Sequence, residues 1–242
     1  MVPMPAPASA PALSIVVLAF NEEDNVVAVL EELRAWLDAH EPSYEIIFVD
    51  DGSTDATASI AEGALLHDRD QVIRHDGNRG IGAGLKTGVR AARGQWVTFL
   101  PADGQIEPAA IGTLRADCEG LDVVFSIYAD RDDGLDRRVL SWGIRSLIRV
   151  IHGVKMESDG PYLFKRELFV PEQLPPDTFF LNMEFPIRVI RAGLRTRVVT
   201  IRCRPRRSGS SKSAKLAVIR GVTVDLLALR VRRTRDSLRQ LL

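Results

Sequence analysis

Asp50 and Asp51 stand side by side where the apolar run Ile46-Ile-Phe-Val stops, and a Gly-Ser turn follows them. Two neighbouring carboxylates are costly to keep at such a place without a use. They suit hydrogen bonds to a ribose or a base, or contact with a metal-bound ligand. They also suit a simpler task, since Asp and Ser side chains cap the helix after such a turn. Two other apolar runs end in polar residues as well. Residues 13–20 run into Asn21 and Glu22, and residues 95–100 run into Pro101-Ala-Asp-Gly-Gln, which carries Asp103 and Gln105. Polar side chains at the carboxyl tips of successive parallel strands are how an open α/β sheet builds a nucleotide site.

The elements that must position these residues alternate strictly. Residues 13–20, 44–49, 71–74, 95–100 and 122–127 read as strands, short apolar runs closed by turn residues. A helix that follows Asn21-Glu-Glu-Asp and runs to about residue 40 carries Val26, Val27, Leu30, Leu33 and Leu37 on one face. Others run from Thr54 or Asp55 to about His67, from the Asn78-Arg-Gly-Ile-Gly-Ala-Gly stretch to near Gly94, and onward from Pro108. Such alternation predicts an α/β fold with a mostly parallel sheet covered by helices on both faces. A dinucleotide-binding fold would want G-x-G-x-x-G after the first strand, and here that strand ends in FNEED. The glycines of 80–84 come after the third strand and read as a tight helix start.

Beyond Tyr128 the pattern changes. A charged loop over 130–136 leads into an arginine-bearing helix over 137–152, then a short strand at 160–164. A helix over 179–192, an alternating strand over 194–202 and a basic serine-rich loop over 204–215 follow, and a last helix begins at Leu216. The chain has 242 residues, 45% of them hydrophobic, enough for one large domain or one domain with an appendage. Basic and acidic residues balance at 32 each, yet 16 of the basic and only Asp225 and Asp236 of the acidic fall after residue 185. The two parts therefore carry about −14 and +14, which suits an anionic partner for the second. Cys118 and Cys203 lack metal-ligand spacing and read as core thiols of a cytoplasmic protein. Residues 1–12, rich in Pro and Ala, read as a disordered leader, and no apolar run approaches the ~20 residues that a membrane span needs.

The stretches AFNEEDN, IIFVDDGSTDAT, NRGIGAGLKTGVRAARG, FLPADGQIEP, DGPYLFKRELF and RRSGSSK occur in the order seen in family 2 glycosyltransferases. The chain most resembles the dolichyl-phosphate-mannose synthase branch and its bacterial polyprenyl-phosphate glycosyltransferase relatives. The resemblance implies the GT-A (nucleotide-diphospho-sugar transferase) fold over 13–212, followed by a basic amphipathic helix over 213–242. It also implies a nucleotide-sugar donor, Mg²⁺ or Mn²⁺, and sugar transfer with inversion, here of a hexose of mannose or glucose type to a polyprenyl or dolichyl phosphate. By position, Ala19, Phe20, Asn21 and Glu22 match the stretch that holds the base, and Asp50 and Asp51 the residues near base and ribose. Asp103 matches the last aspartate of the metal-binding D-x-D, and Gln105 a residue that can join the metal. Asp159 matches the aspartate opening the acceptor-side motif. Arg206, Gly209, Ser211 and Lys212 match a loop that closes over the diphosphate, and Arg131, Arg137 and Arg138 suit the acceptor phosphate.

Two departures stand out. Pro101 occupies the first aspartate position of D-x-D, and Ile127 stands where some relatives carry an acceptor-binding arginine. Residues 216–229 are apolar but too short to span a bilayer, and arginines follow at 230, 232, 233, 235 and 239. A helix of this kind can lie in the surface of an anionic membrane, here on its cytoplasmic face, or pack on the catalytic domain. No nucleic-acid motif accompanies the basic charge. Two other functions fit the same residues. One is transfer to a neutral saccharide hydroxyl, which needs a base such as Asp159 or Glu184. The other is a non-catalytic nucleotide- or lipid-binding protein that has lost turnover through Pro101.

Overall fold

The computed structural model describes residues 10–65, 67–129, 135–175, 177–205 and 224–231, and of residues 135–141 the backbone only. All seven expected strands form: β1 (Leu13–Ala19), β2 (Tyr44–Asp50), β3 (Gln71–Arg74), β4 (Trp96–Pro101), β5 (Val123–Tyr128), β6 (Leu163–Lys165) and β7 (Thr196–Ile201). They make one sheet in the order β3-β2-β1-β4-β6-β5-β7. β3, β2, β1 and β4 are mutually parallel, β6 runs against both β4 and β5, and β7 is parallel to β5. Because β6 is reversed, β5 points the same way as β4, so every strand tip carrying a candidate residue leaves the sheet at one edge.

The helices are α1 (Glu23–His40), α2 (Thr57–Ala64), α3 (Ile81–Ala91), α4 (Ala109–Arg115), α5 (Leu135–His152) and α6 (Leu181–Arg191). A further helix, α7, covers 224–231, and the rest of the helix expected from Leu216 lies outside the described residues. β2 is buried along its whole length, which is why its sequence is an unbroken apolar run and not an alternation. In β1 the period of two sorts the side chains. Ile15 and Val17 join a cluster with Leu30, Leu33, Leu37 and Ile111, whereas Val16 joins Val49, Leu85, Phe164 and Phe185 on the other face.

Some boundaries differ from the sequence expectation for physical reasons. Val27 is 46% exposed, and Val29 takes its place on the buried face of α1. Helix α3 stops at Ala91, short of Gly94. The chain turns there so that Arg93, through its N–H (2.6 Å) and its Nε (2.8 Å), reaches the fully buried Glu45 of β2. Ser14 Oγ also donates to Glu45, at 2.6 Å. Those bonds offset the cost of a carboxylate inside the sheet, so the sheet outranks one more helical turn. A third cluster joins Ile148 of α5, Phe180, and Met183 and Ile187 of α6 to Leu226 and Leu229 of α7.

Candidate active site

The register brings the polar strand ends together. Ala19 lies beside Asp50, and Leu18 lies beside Pro101. One residue further, the N–H of Asp51 donates to Ala19 O and that of Ala102 to Leu18 O, both at 2.9 Å. Asn21 then adopts φ 53, a left-handed conformation that Asn tolerates better than most residues. This turn lets its N–H reach Ser53 Oγ at 2.9 Å while its Oδ1 accepts the N–H of Thr54 at 2.9 Å. The N–H of Glu22 donates to Thr57 Oγ1 at 2.8 Å. The loops after β1 and β2 are thus stitched into one rim, with Phe20 and Glu22 half-buried on it.

The two aspartates of this rim both support backbone turns. Asp50 is fully buried; its carboxylate accepts the N–H of Ser53 at 3.2 Å and the Ser53 hydroxyl, and pairs with Arg74 Nε at 3.4 Å. Asp51 accepts the N–H groups of Arg79 at 2.9 Å and Gly80 at 2.8 Å, and its Oδ1 lies 2.8 Å from His75 Nδ1. A carboxylate only accepts, so Nδ1 carries the proton there. The glycines after Arg79 are explained by packing. The N–H of Ala83 donates to Asp177 O at 3.0 Å, and a Cβ on Gly82 would lie 2.4 Å from Thr178 O. Gly82 therefore admits the chain before α6, as a tight helix start should.

Asp103 lies one strand over and is only 4% exposed. Its Oδ1 accepts the N–H of Gln105 at 3.0 Å, across Gly104 at φ 70. Pro101 is tolerated in this interior strand because of where its missing N–H would point. The N–H of Ala102 faces β1, so position 101 faces the other way, where the β6 ladder reaches only Trp96 and Val97. Arg204, three residues past β7, is joined to this loop: its N–H donates to Gln105 O at 2.9 Å and its Nε to Gly104 O at 2.7 Å. Among the described residues no three His, Cys, Asp or Glu side chains gather as a metal cluster. Asp103 with Gln105 nevertheless fits a hard divalent ion, because magnesium accepts one or two carboxylates when substrate phosphates and water complete its shell.

Asp159 lies at the tip of β5, its N–H donating to Ser126 O at 2.9 Å. Its carboxylate is paired with Arg145 of α5, and both side chains reach solvent. Glu184 is fully buried in α6 and accepts from Arg188 Nε at 2.9 Å and Nη2 at 2.6 Å. Arg137 and Arg138 lie on the first turns of α5, described by backbone only, and Arg131, Arg206, Gly209, Ser211 and Lys212 lie outside the described residues. Sequence reasoning passed over His75, Arg145 and Arg204. Arg145 is one of several arginines on its helix, and Arg204 begins the basic run Arg204-Pro-Arg-Arg, so composition alone singles out neither.

The sequence model of Glycosyl transferase family 2 matches residues 14–191. Among curated proteins, the chain is 34% identical over 157 residues to "Dodecaprenyl-phosphate galacturonate synthase" of Rhizobium johnstonii, covering 61% of this chain and 45% of that one. It is 34% identical over 151 residues to "Undecaprenyl-phosphate 4-deoxy-4-formamido-L-arabinose transferase" of Edwardsiella ictaluri, covering 61% and 46%. The chain thus spans just under half the length of these relatives. Among solved structures it is similar to glucosyl-3-phosphoglycerate synthase from Mycobacterium tuberculosis in complex with Mn²⁺, UDP and glucosyl-3-phosphoglycerate. That likeness has a TM-score of 0.68 at 23% identity and covers 91% of this chain and 80% of that one, which makes it a likeness of fold. The parallel sheet, the polar rim at its carboxyl edge and the family match agree, and the chain belongs to glycosyl transferase family 2, with the GT-A fold.

Proposed function

We propose that the chain moves a hexose-type sugar, with inversion, from a nucleotide-sugar to a polyprenyl phosphate, assisted by Mg²⁺ or Mn²⁺. The observation that carries this reading is the shared edge: the residues after β1, β2 and β4, and Asp159 beside β5, all meet at the carboxyl tips of strands that point one way. The names of the two lipid-phosphate relatives support the acceptor class.

On this reading, Ala19 to Glu22 and Asp51 frame the base and ribose, with Asp50 behind them as the anchor of the turn. Asp103 and Gln105 hold the cation, which when bound draws charge from the diphosphate oxygens. Arg206 and Lys212 add charge-assisted hydrogen bonds to the leaving diphosphate. The acceptor phosphate is held by Arg131, Arg137 and Arg138, with Arg145 released from Asp159. Because a phosphate oxygen is already ionised near neutral pH, attack needs no strong general base. The burial and ion pairing of Glu184 are in keeping with that.

Exposed apolar residues support a membrane face. No helix among the described residues is long and apolar enough to cross a membrane. Yet Trp142 and Val150 of α5, and Val224, Leu227 and Val231 of α7, are more than half exposed. Leu226 and Leu229 meanwhile hold α7 against the body, so the helix packs with one face and presents apolar residues on another. We assign that second face to the cytoplasmic surface of an anionic membrane. Replacing Trp142 and Leu227 by Ser should lower flotation with anionic vesicles; unchanged flotation would remove the membrane assignment.

The deciding assay is a panel of GDP-mannose, UDP-glucose and a UDP-hexuronate with Mg²⁺ or Mn²⁺ and a short polyprenyl phosphate. The expected product is a single-anomer sugar phospholipid. Tight donor binding without transfer to any lipid phosphate overturns the reading.

A further inference from the structure

Arg204 holds two consecutive carbonyls of the Asp103 loop, those of Gly104 (2.7 Å) and Gln105 (2.9 Å), yet it belongs to the chain leaving β7, on the far side of the sheet order from β4. Its guanidinium also pairs with Glu32 of α1 at 2.6 Å and with Glu107 at 3.7 Å. The Gln105 carbonyl is held by the Arg204 backbone N–H, and the side chain, on Gly104 O and Glu32, ties α1 and the chain leaving β7 to the turn that presents Asp103.

We propose that Arg204 is a positioning residue for the cation site, fixing the Asp103-Gly-Gln turn so that one carboxylate suffices where Pro101 offers none. The inference rests on the reading of Asp103 as the donor's metal ligand. Two physical arguments support it. First, Asp103 orients its carboxylate through the N–H of Gln105 at 3.0 Å, so the direction of that carboxylate depends on the very peptide units that Arg204 clamps. A site with a single carboxylate has no second carboxylate to correct a tilt of the first, so the geometry must come from the supporting shell. Second, a guanidinium near a cation site would oppose the ion. Here the carboxylates of Glu32, at 2.6 Å, and Glu107, at 3.7 Å, offset its charge. The clamp thus brings rigidity without net repulsion.

The test titrates Mn²⁺ into the 242-residue chain with UDP and, separately, GDP, by calorimetry and by the electron paramagnetic resonance signal of free Mn²⁺. Arg204→Ala should weaken Mn²⁺ binding in the nucleotide complex by about tenfold, with metal-free nucleotide binding and the KM for lipid phosphate unchanged. Sugar transfer should then recover at raised Mn²⁺. Arg204→Lys keeps the charge but loses the planar fork that serves Gly104 and Glu32 together. It should fall between the two, and it carries the test if the alanine variant does not fold. Arg197→Ala, an exposed position on β7, is the control. Wild-type metal affinity in Arg204→Ala or Arg204→Lys overturns the positioning role alone, as does an equal loss of all three readouts. Absence of Mn²⁺-dependent nucleotide binding in the wild type overturns the cation reading, and the inference falls with it.

Discussion

The rim proposed for the donor and the side proposed for the acceptor hold their charged groups in opposite ways. On the rim, Asp50, Asp51 and Asp103 are all nearly inaccessible to solvent, and each accepts backbone N–H groups from its own or a neighbouring loop. On the acceptor side, Asp159 and Arg145 meet as a partly solvated pair, and α5 and α7 leave Trp142, Val150 and Leu227 exposed. A buried, multiply bonded carboxylate is costly to disturb, whereas an exposed pair contributes about 0–1 kcal/mol and exchanges partners readily. On the proposed function, the contrast would suit a preformed seat for the donor and weak contacts that a lipid-phosphate acceptor displaces.

The largest effect should come from breaking the rim at its chemical centre. Asp103→Ala removes the carboxylate assigned to the cation and should lower kcat/KM by about two orders of magnitude, ~2.7 kcal/mol of transition-state stabilisation. Steady-state rates at saturating Mn²⁺ check this; activity within twofold of wild type would detach the metal from Asp103. Asp51→Ala should cost stability first. It leaves His75 Nδ1 and the N–H groups of Arg79 and Gly80 without their acceptor. Urea unfolding should show a loss of roughly 3 kcal/mol, and a loss below about 1 kcal/mol would show that the rim is not preformed in this way.

Much of this was legible in the chain. Seven strands followed from apolar runs with turn residues and one alternating stretch, and a mostly parallel sheet followed from the strand–helix alternation, because buried strands leave that mark directly. The double role of Asp50 and Asp51 was legible only as an alternative. The residues that hold their carboxylates lie at Ser53, Arg74, His75 and Arg79, and no local pattern says which of several donors folds back. Arg204 was illegible for a stronger reason. Its partners are Gly104 and Gln105, about a hundred residues earlier, and β6 and β5 intervene between their strands. Val27 failed as a core residue because helical periodicity fixes a stripe, and the width of that stripe is set by what packs on it.

On the acceptor side the expected effect is smaller and kinetic. Arg145→Ala should change stability by less than about 1 kcal/mol, since its pair with Asp159 is solvated. The KM for polyprenyl phosphate should rise about tenfold while the KM for donor holds. Equal changes in both constants would mean that Arg145 shapes the whole edge, and the division between preformed and exchangeable sides would fail.

The smallest effect probes a three-residue charged cluster at the start of β5, far from both proposed substrate sides. Asp122 accepts from Arg195 through its N–H (3.0 Å), Nε (3.2 Å) and Nη2 (3.0 Å), and from Lys165 Nζ at 2.8 Å. The Arg195 hydrogen bonds, then that from Lys165, hold the Asp122 carboxyl well below the usual carboxylate range. A depressed folded-state value means that the carboxylate stabilises the fold above its unfolded pKa, about 3.9, and that this contribution is lost as pH falls through the lower folded value. Asp122→Asn should therefore cost about 1 kcal/mol near pH 7, with the gap from wild type narrowing as pH drops below about 4. Urea unfolding at both pH values measures the gap, and a gap independent of pH would remove the charge from the explanation. Turnover at pH 7 should stay at the wild-type level, because Asp122 lies at the sheet edge opposite the strand tips. A loss of turnover would tie that edge to the site and blur the contrast between the two sides.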